Sequence, residues 1–267
     1  MIAFAGNSLL CRLALRDGHI DAASFTLIRL LSGAGTLWLV VLLRRSSRGG
    51  SGSWLSAAYL FIYAAGFSLA YTSLPAATGA ILLFGAVQAT MIGTGAWRGE
   101  RLHRRQIGGL LLALMGLVVL LAPGLSAPPP YASVLMLSAG AAWGLYSLRG
   151  RGGGDPIPVT AGNFLRTLPL VAAMSVLSLH ASTADRAGVL YGVASGALAS
   201  GAGYAIWYSA LPALTSTGAA VVQLSVPVIA ALGGYVFLHE AITVRLAFAA
   251  AAIIGGIAVV IVNPRRG

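Results

Sequence analysis

GFSLAYTSLPA, residues 66–76, returns 137 positions later as GYAIWYSALPA, residues 203–213. Gly66 meets Gly203, Tyr71 meets Tyr208, and the turn Leu74-Pro75-Ala76 meets Leu211-Pro212-Ala213. The same shift lays Arg29 on Arg166, an arginine inside an apolar run in both places. After two small insertions the register resumes, with Gly79 opposite Gly218, Glu100 opposite Glu240 and Gly116 opposite Gly256. Chance matches come easily in an apolar chain, yet an arginine within a run, a Leu-Pro-Ala turn and a helix-junction glutamate are rare residues to share one register. The spacing predicts an internal duplication.

The surrounding composition says what is duplicated. Of 267 residues 58% are apolar and only 9% charged, with 35 glycines and a mean hydropathy of +0.86. Soluble domains carry about 25% charged residues, so water cannot be the main solvent of this chain. Charges, prolines and glycine clusters cut it into ten apolar runs, about 1–15, 22–43, 54–73, 77–97, 106–122, 131–148, 158–180, 187–209, 214–238 and 245–262. A span of hydrocarbon takes about 20 helical residues, and backbone groups in lipid must be satisfied within the segment. Runs of this length do not match the ten-residue alternation of barrel strands. The expectation is an all-α polytopic membrane protein of ten transmembrane helices.

Residues 1–125 then form a first five-helix repeat and 131–264 a second. An odd number of crossings turns the second copy over, so the repeats are inverted. Such pairs exchange conformations about an axis in the membrane plane, which converts an inward-open cavity to an outward-open one. The two copies complete each other, so the monomer is the functional unit, whatever the oligomeric state.

The net charge of +11 lies in 17 arginines, with no lysine and six acids. A nucleic-acid partner would need soluble surface to carry that charge, and these arginines lie between apolar runs, where they set orientation. With the N-terminus inside, Arg44, Arg45, Arg48, Arg98, Arg101, Arg104, Arg105, Arg149, Arg151, Arg265 and Arg266 are cytoplasmic, against Arg16, Arg186 and Arg245 outside. Both termini are then cytoplasmic. The first run is short, about 22 Å of helix against roughly 30 Å of hydrocarbon. It reads as a short or tilted retained span rather than a signal peptide, with residues upstream of Met1 as another explanation. Cys11, the one cysteine, allows no internal disulfide.

Polar and aromatic residues within the runs supply the candidate substrate cavity: Asn7, Tyr63, Gln88, Trp143, Tyr146, Asn163, Tyr204, Trp207 and Gln223. A buried amide must hydrogen-bond, so Asn7, Gln88 and Gln223 face protein or a wet cavity; the rings serve equally as packing or interfacial anchors. Arg29 and Arg166 have two readings, an interfacial one in which each guanidinium reaches back to headgroups, and a functional one in which one of them contacts a substrate carboxylate or closes a gate. Small residues four apart (Gly140 and Gly144; Gly192, Gly196 and Ser200; Gly108, Leu112 and Gly116; Ala247, Ala251 and Gly255) predict close helix packing. Pro227, mid-run, predicts a kink. Glu100 and Glu240 each precede a helix that they are placed to cap while holding nearby arginines.

No carboxylate or imidazole falls in mid-run, which favours facilitated movement over proton coupling. No HExxH, no paired intramembrane aspartates and no phosphate-cradling glycine motif is present, which argues against an enzyme. The reading requires no cofactor, no metal and no nucleic acid; its partners are a small-molecule substrate and the lipid bilayer.

Together the Phe25–Arg29 segment, the two Leu-Pro-Ala turns, Phe84-Gly85-Ala86-Val87-Gln88, the Gly99-Glu100-Arg101 and His239-Glu240 junctions and the glycine-bearing fifth and tenth runs resemble the EamA-type transporters of the drug/metabolite transporter superfamily, most of all its amino-acid exporters. Two departures stand out: the family's fourth-span proline is replaced near Val87, and Ala5-Gly6-Asn7 stands where Trp-Gly is usual. The resemblance implies a carrier of the bacterial inner membrane that exports amino acids of varied side chain, aromatic ones included, or related small metabolites, by alternating access and as a uniporter. The alternatives are a drug or cation efflux carrier and a membrane enzyme or assembly scaffold acting on lipid-linked substrates.

Overall fold

The computed structural model describes residues 1–44, 52–97, 99, 103–124, 127–150, 155–210 and 222–262. Among these there is no strand, only an isolated bridge between Ile20 and Ala184. Seven helices come first: α1 Ile2–Arg16, α2 Ala22–Leu43, α3 Trp54–Tyr71, α4 Ala76–Trp97, α5 Arg104–Leu121, α6 Pro130–Arg149 and α7 Pro156–Leu177. The eighth passage is continuous but not uniform, running as α8 Arg186–Ala194, a π-helical stretch Ser195–Ala202 and α9 Gly203–Ala210. Helices α10 Ser225–Leu238 and α11 Val244–Val262 complete the described chain. Among the described residues eight passages are long and apolar enough to cross a bilayer, α10 is a shorter apolar helix of 14 residues, and α1 is a helix of 15 residues. The protein is a multi-pass membrane protein.

The helix starts follow from local chemistry. Asp21 accepts from the amides of Ala23 and Ser24, Ser53 from Ser56, Asp155 from Ile157 and Asp185 from Gly188, each side chain satisfying amides that a helix start leaves unpaired. His103 and Gln106 make a reciprocal cap at α5. Helix α10 ends where His239 turns left-handed at φ 53° and the Glu240 amide bonds back to the Gly234 carbonyl at 3.0 Å. Pro227 is the third residue of α10; Val222 and Gln223 ahead of it are also helical, and the helix is interrupted at Leu224, within the turn whose carbonyl at Gln223 the Pro227 nitrogen cannot bond. The interior proline is Pro169, in α7.

Contacts between connections sort the helix ends onto two faces. On one, His19 meets Asp185 at 2.7 Å, Arg16 donates to the Leu238 carbonyl at 2.8 Å, and Arg245 donates to Val119 at 2.8 Å and to the Ala122 carbonyl. The Gly188 amide and the His19 ring hold the Asp185 carboxyl below its usual range. On the other, Ser53 donates its amide to Asn163 at 2.9 Å, Arg149 bonds Ser56 at 3.2 Å, and Gln106 reaches the Val260 carbonyl at 3.2 Å. Successive passages therefore run in alternate directions, and α6 runs opposite to α1.

Packing repeats the same relation. Helix α3 packs on α6 as the eighth passage packs on α1; α4 packs on α6 as α10 packs on α1; α2 pairs with α7 and α5 with α11. Exchanging α1 with α6, and each later passage with its counterpart five on, interchanges the first two of these pairings, interchanges the next two, and maps α2–α7 and α5–α11 each onto itself.

Glycines set how closely the passages approach. A methyl on Gly196 would strike the Arg29 carbonyl and Ser32, one on Gly140 the Leu83 carbonyl, and one on Gly109 the Gly256 carbonyl. The α5–α11 contact runs through Gly109, Gly116 and Gly256; Gly108 and Gly255, which the four-residue spacing had placed in the strips, have open space instead. Leu111, Met115 and Val118 of α5 and Phe248 of α11 are exposed, an apolar flank suited to lipid.

Gly108→Ala and Gly109→Ala make the same change one residue apart. The first is expected to be neutral or stabilising by up to about 1 kcal/mol through helix propensity; the second is expected to cost about 1–3 kcal/mol through overpacking. Thermal unfolding in detergent measures both, and equal midpoints would contradict the packing.

Candidate functional site

Where α1, α3, α6 and the eighth passage converge, a small cavity is lined by Phe4, Asn7, Tyr63, Phe67, Leu83, Phe84, Trp143, Ala199, Ser200 and Tyr204. Lipid-facing helices can place polar groups only inward, and here they form one chain of hydrogen bonds. Ser195 donates to the Asn7 side-chain oxygen at 2.6 Å, and the Asn7 amide nitrogen donates to the Tyr63 hydroxyl at 3.4 Å. Arg29 donates through Nη2 to that same hydroxyl at 2.9 Å and through Nε to Ser200 at 3.3 Å. Ser195 and Ser200 both belong to the π-helical stretch, whose wider turn presents side chains that a regular helix would rotate away.

Aromatic rings complete the wall. Trp143 lies 4.9 Å from Tyr63, 5.1 Å from Tyr204 and 5.5 Å from Tyr146 between centroids, and Phe4 meets Tyr204 edge-on at 5.8 Å. The enclosed space is about 20 Å³, room for a water-sized occupant. Small-molecule sites run to roughly 300–1,000 Å³, so the helices must part before a metabolite can enter. A larger opening of about 200 Å³ lies among α4, α5, α6 and α11, but alkyl groups line almost all of it, and it offers no set of polar groups to orient a polar solute.

A second polar cluster shuts one face above this cavity. Arg12, near the end of α1, pairs through Nε with Glu240 at 2.9 Å and donates through Nη1 to the carbonyls of Tyr71 and Thr72 at 3.0 and 3.1 Å. The other Glu240 oxygen accepts the Ala76 amide at 2.6 Å. Glu240 thus caps α4, 164 residues away, and not the helix that follows it, as its position in the sequence had suggested. One carboxylate ties together α1, the α3–α4 turn and the end of α10.

A profile of the EamA-like transporter family matches residues 130–262, the part of the chain from α6 onward. The chain belongs to the EamA-like transporter family. It is also 57% identical over 271 aligned residues to the uncharacterized protein PA1977 of Pseudomonas aeruginosa, covering 100% of this chain and 93% of that one. A solved crystal structure of a protein 23% identical in sequence superposes with a TM-score of 0.69 over 97% of this chain and 95% of its own, a likeness of fold.

For an EamA-like transporter, the cavity at the crossing of its helices is the natural candidate site, and four of the residues singled out in the sequence line it: Asn7, Tyr63, Trp143 and Tyr204. Arg29 borders it through Tyr63, Phe67 and Ser200. It does not reach back to headgroups, since it is 2% exposed in the middle of the bundle. Arg166 is half-buried and donates to the Gly162 carbonyl of its own helix at 3.0 Å, so the paired arginines occupy unlike places.

Other candidates lie apart. Asn163 donates to the Tyr146 hydroxyl at 3.3 Å and accepts the Ser53 amide; both line a separate pocket of about 40 Å³ beside Arg149. Gln88 is buried one turn beyond Phe84, Trp207 packs edge-on against Phe4 at 6.1 Å, and Gln223 is half-buried ahead of α10; none of these three lines the central cavity. Glu100, Gly218 and the turn Leu211-Pro212-Ala213 lie outside the described residues. Among the described residues no three His, Cys, Asp or Glu side chains gather as a metal site would require.

Sequence reasoning missed Ser195, Ser200 and Arg12. The first two were legible only as small packing residues, but Arg12 carried a usable signal, standing 137 positions before Arg149 in the shared register. Removing one partner of the largely buried Arg12–Glu240 pair is expected to cost about 3 kcal/mol. Glu240→Met and Arg12→Met should each lower the unfolding midpoint, and the double variant should recover part of the loss. Strict additivity of the two would show that the pair is not coupled.

Proposed function

We propose that the chain is an amino-acid exporter of the bacterial inner membrane, broad in side-chain specificity and open to aromatic substrates and related small metabolites. The observation that carries this reading is the closed aromatic cavity, with its short polar chain, at the crossing of helices from both parts of the sequence. Aromatic and small residues tolerate many side chains once the cavity opens, while a few polar groups read the part that amino acids share.

Residues 1–125 and 131–264 are the two inverted repeats in this reading. The opposite course of α1 and α6, the exchangeable pairings and a family match confined to residues 130–262 all support it. Alternating access follows from rocking one repeat against the other. Arg12 and Arg149 occupy equivalent positions on opposite faces, and Arg12 braces its own face through Glu240. The richer share of arginines on the other face makes that face cytoplasmic, with both termini. No carboxylate or imidazole lines the described cavity, which supports uniport.

Protein reconstituted in liposomes should accelerate counterflow of labelled phenylalanine and leucine over empty vesicles, with no need of a pH gradient. Flux that tracks a pH gradient and moves lipophilic cations instead would replace this reading with drug efflux. A fluorescent protein fused after Gly267 should fluoresce in cells, and alkaline phosphatase at the same place should be inactive; the reverse pattern would invert the orientation.

A further inference from the structure

The Arg29 side chain is buried with its charge uncompensated. No carboxylate pairs with it among the described residues, and its Nη1 has no hydrogen-bond partner among them. Its neighbours are two hydroxyls and two ring faces, Tyr63 at 5.1 Å and Phe67 at 4.9 Å from the guanidinium carbon. Ring faces and hydroxyls soften the cost of a buried cation, but they leave a full positive charge in a medium of low dielectric. Tyr63, Phe67 and Ser200, which surround it, are themselves walls of the central cavity. A guanidinium with one donor edge unused, set directly behind a cavity wall, is a half-built anion site.

We infer that Arg29 binds the carboxylate of the transported substrate, making the substrate class amino acids and other small monocarboxylates and excluding their amides and amines. This rests on the proposed transport function for its biological meaning, though the binding itself does not. A carboxylate presents two oxygens in one plane, which suits the edge of a guanidinium. A single arginine matches a single negative charge, and no second cation lines the cavity to hold a dianion. The walls of Phe4, Phe84, Trp143 and Tyr204 suit an apolar body attached to that carboxylate and serve a hydrated inorganic anion poorly. An ammonium on the same substrate would meet ring faces rather than a carboxylate. Nη1 reaches the substrate when the helices part and the Tyr63 hydroxyl moves aside.

The test uses the full chain in detergent and reads thermal unfolding with L-phenylalanine, 3-phenylpropionate, L-phenylalaninamide or chloride at equal ionic strength, since a ligand that binds the folded state raises its midpoint. Phenylalanine and phenylpropionate should stabilise, and the amide should bind about ten- to a hundredfold more weakly, the cost of losing a charge-assisted bond. Equal stabilisation by the amide, no stabilisation by either carboxylate, or chloride alone matching them would overturn the assignment. Arg29→Lys should keep part of the carboxylate preference and Arg29→Met none; a Met variant that still prefers phenylalanine to its amide would also overturn it. The wild-type series stands even where a variant fails to fold. Liposome flux separates the two claims: carboxylate-selective stabilisation without flux would sink transport and leave the site, while equal flux of phenylalanine and its amide would do the opposite.

Discussion

Lipid offers helices no hydrophobic reason to associate, because acyl chains are as apolar as leucine. What holds this bundle is therefore close backbone approach, and the sequence provides for it with glycine where two passages cross. Gly196 against the Arg29 backbone, Gly140 against Leu83 and Gly109 against Gly256 are contacts at which a single methyl would not fit. Dispersion falls steeply with separation, so these places fix the registers of α2 on the eighth passage, α4 on α6 and α5 on α11. The polar chain is placed by the first of these contacts: Gly196 draws the eighth passage onto α2 and so brings Ser195 within reach of Asn7, and Ser200 within reach of Arg29.

The same contacts explain where the bundle can yield. Smooth glycine surfaces let helices slide or tilt with little loss of dispersion, whereas bonds with fixed geometry resist. Of the latter, the Arg12–Glu240–Ala76 cluster binds three passages at one face, and at the other face Arg149 bonds Ser56 at 3.2 Å.

Most helix ends were legible in the sequence because the signals that set them are local: Asp21, Ser53 and Asp185 cap through their own neighbours, and arginines mark where hydrocarbon stops. What was not legible depended on partners far along the chain. Arg29 and Arg166 stand at one offset in equally apolar runs, and only the facing helices decide that one lies behind a cavity and the other against its own turn. Gly108 and Gly109 differ by a 100° rotation that four-residue spacing alone does not resolve. Glu240 stands next to a helix start, while its amide partner is 164 residues away. The aromatic residues split for the same reason, with Trp143 and Tyr204 facing inward and Trp207 turned toward Phe4 at the rim.

The polar chain is shared unevenly between the two parts of the sequence, and this bears on how a carrier of this shape can work. Asn7, Arg29 and Tyr63 precede the midpoint; Ser195 and Ser200 follow it. Two of the bonds, Asn7–Ser195 and Arg29–Ser200, therefore cross between the parts and are the ones that the proposed rocking strains. The first is short at 2.6 Å, the second long at 3.3 Å, and the 2.9 Å bond of Arg29 to Tyr63 lies within one part. In the proposed rocking, the Arg29–Ser200 bond is one that opens and frees a donor at the cavity wall. An opening motion that frees donors at the cavity wall as it creates space behind them couples the arrival of an acceptor to the change of state, because the open form is the one with unmet hydrogen bonds in low dielectric.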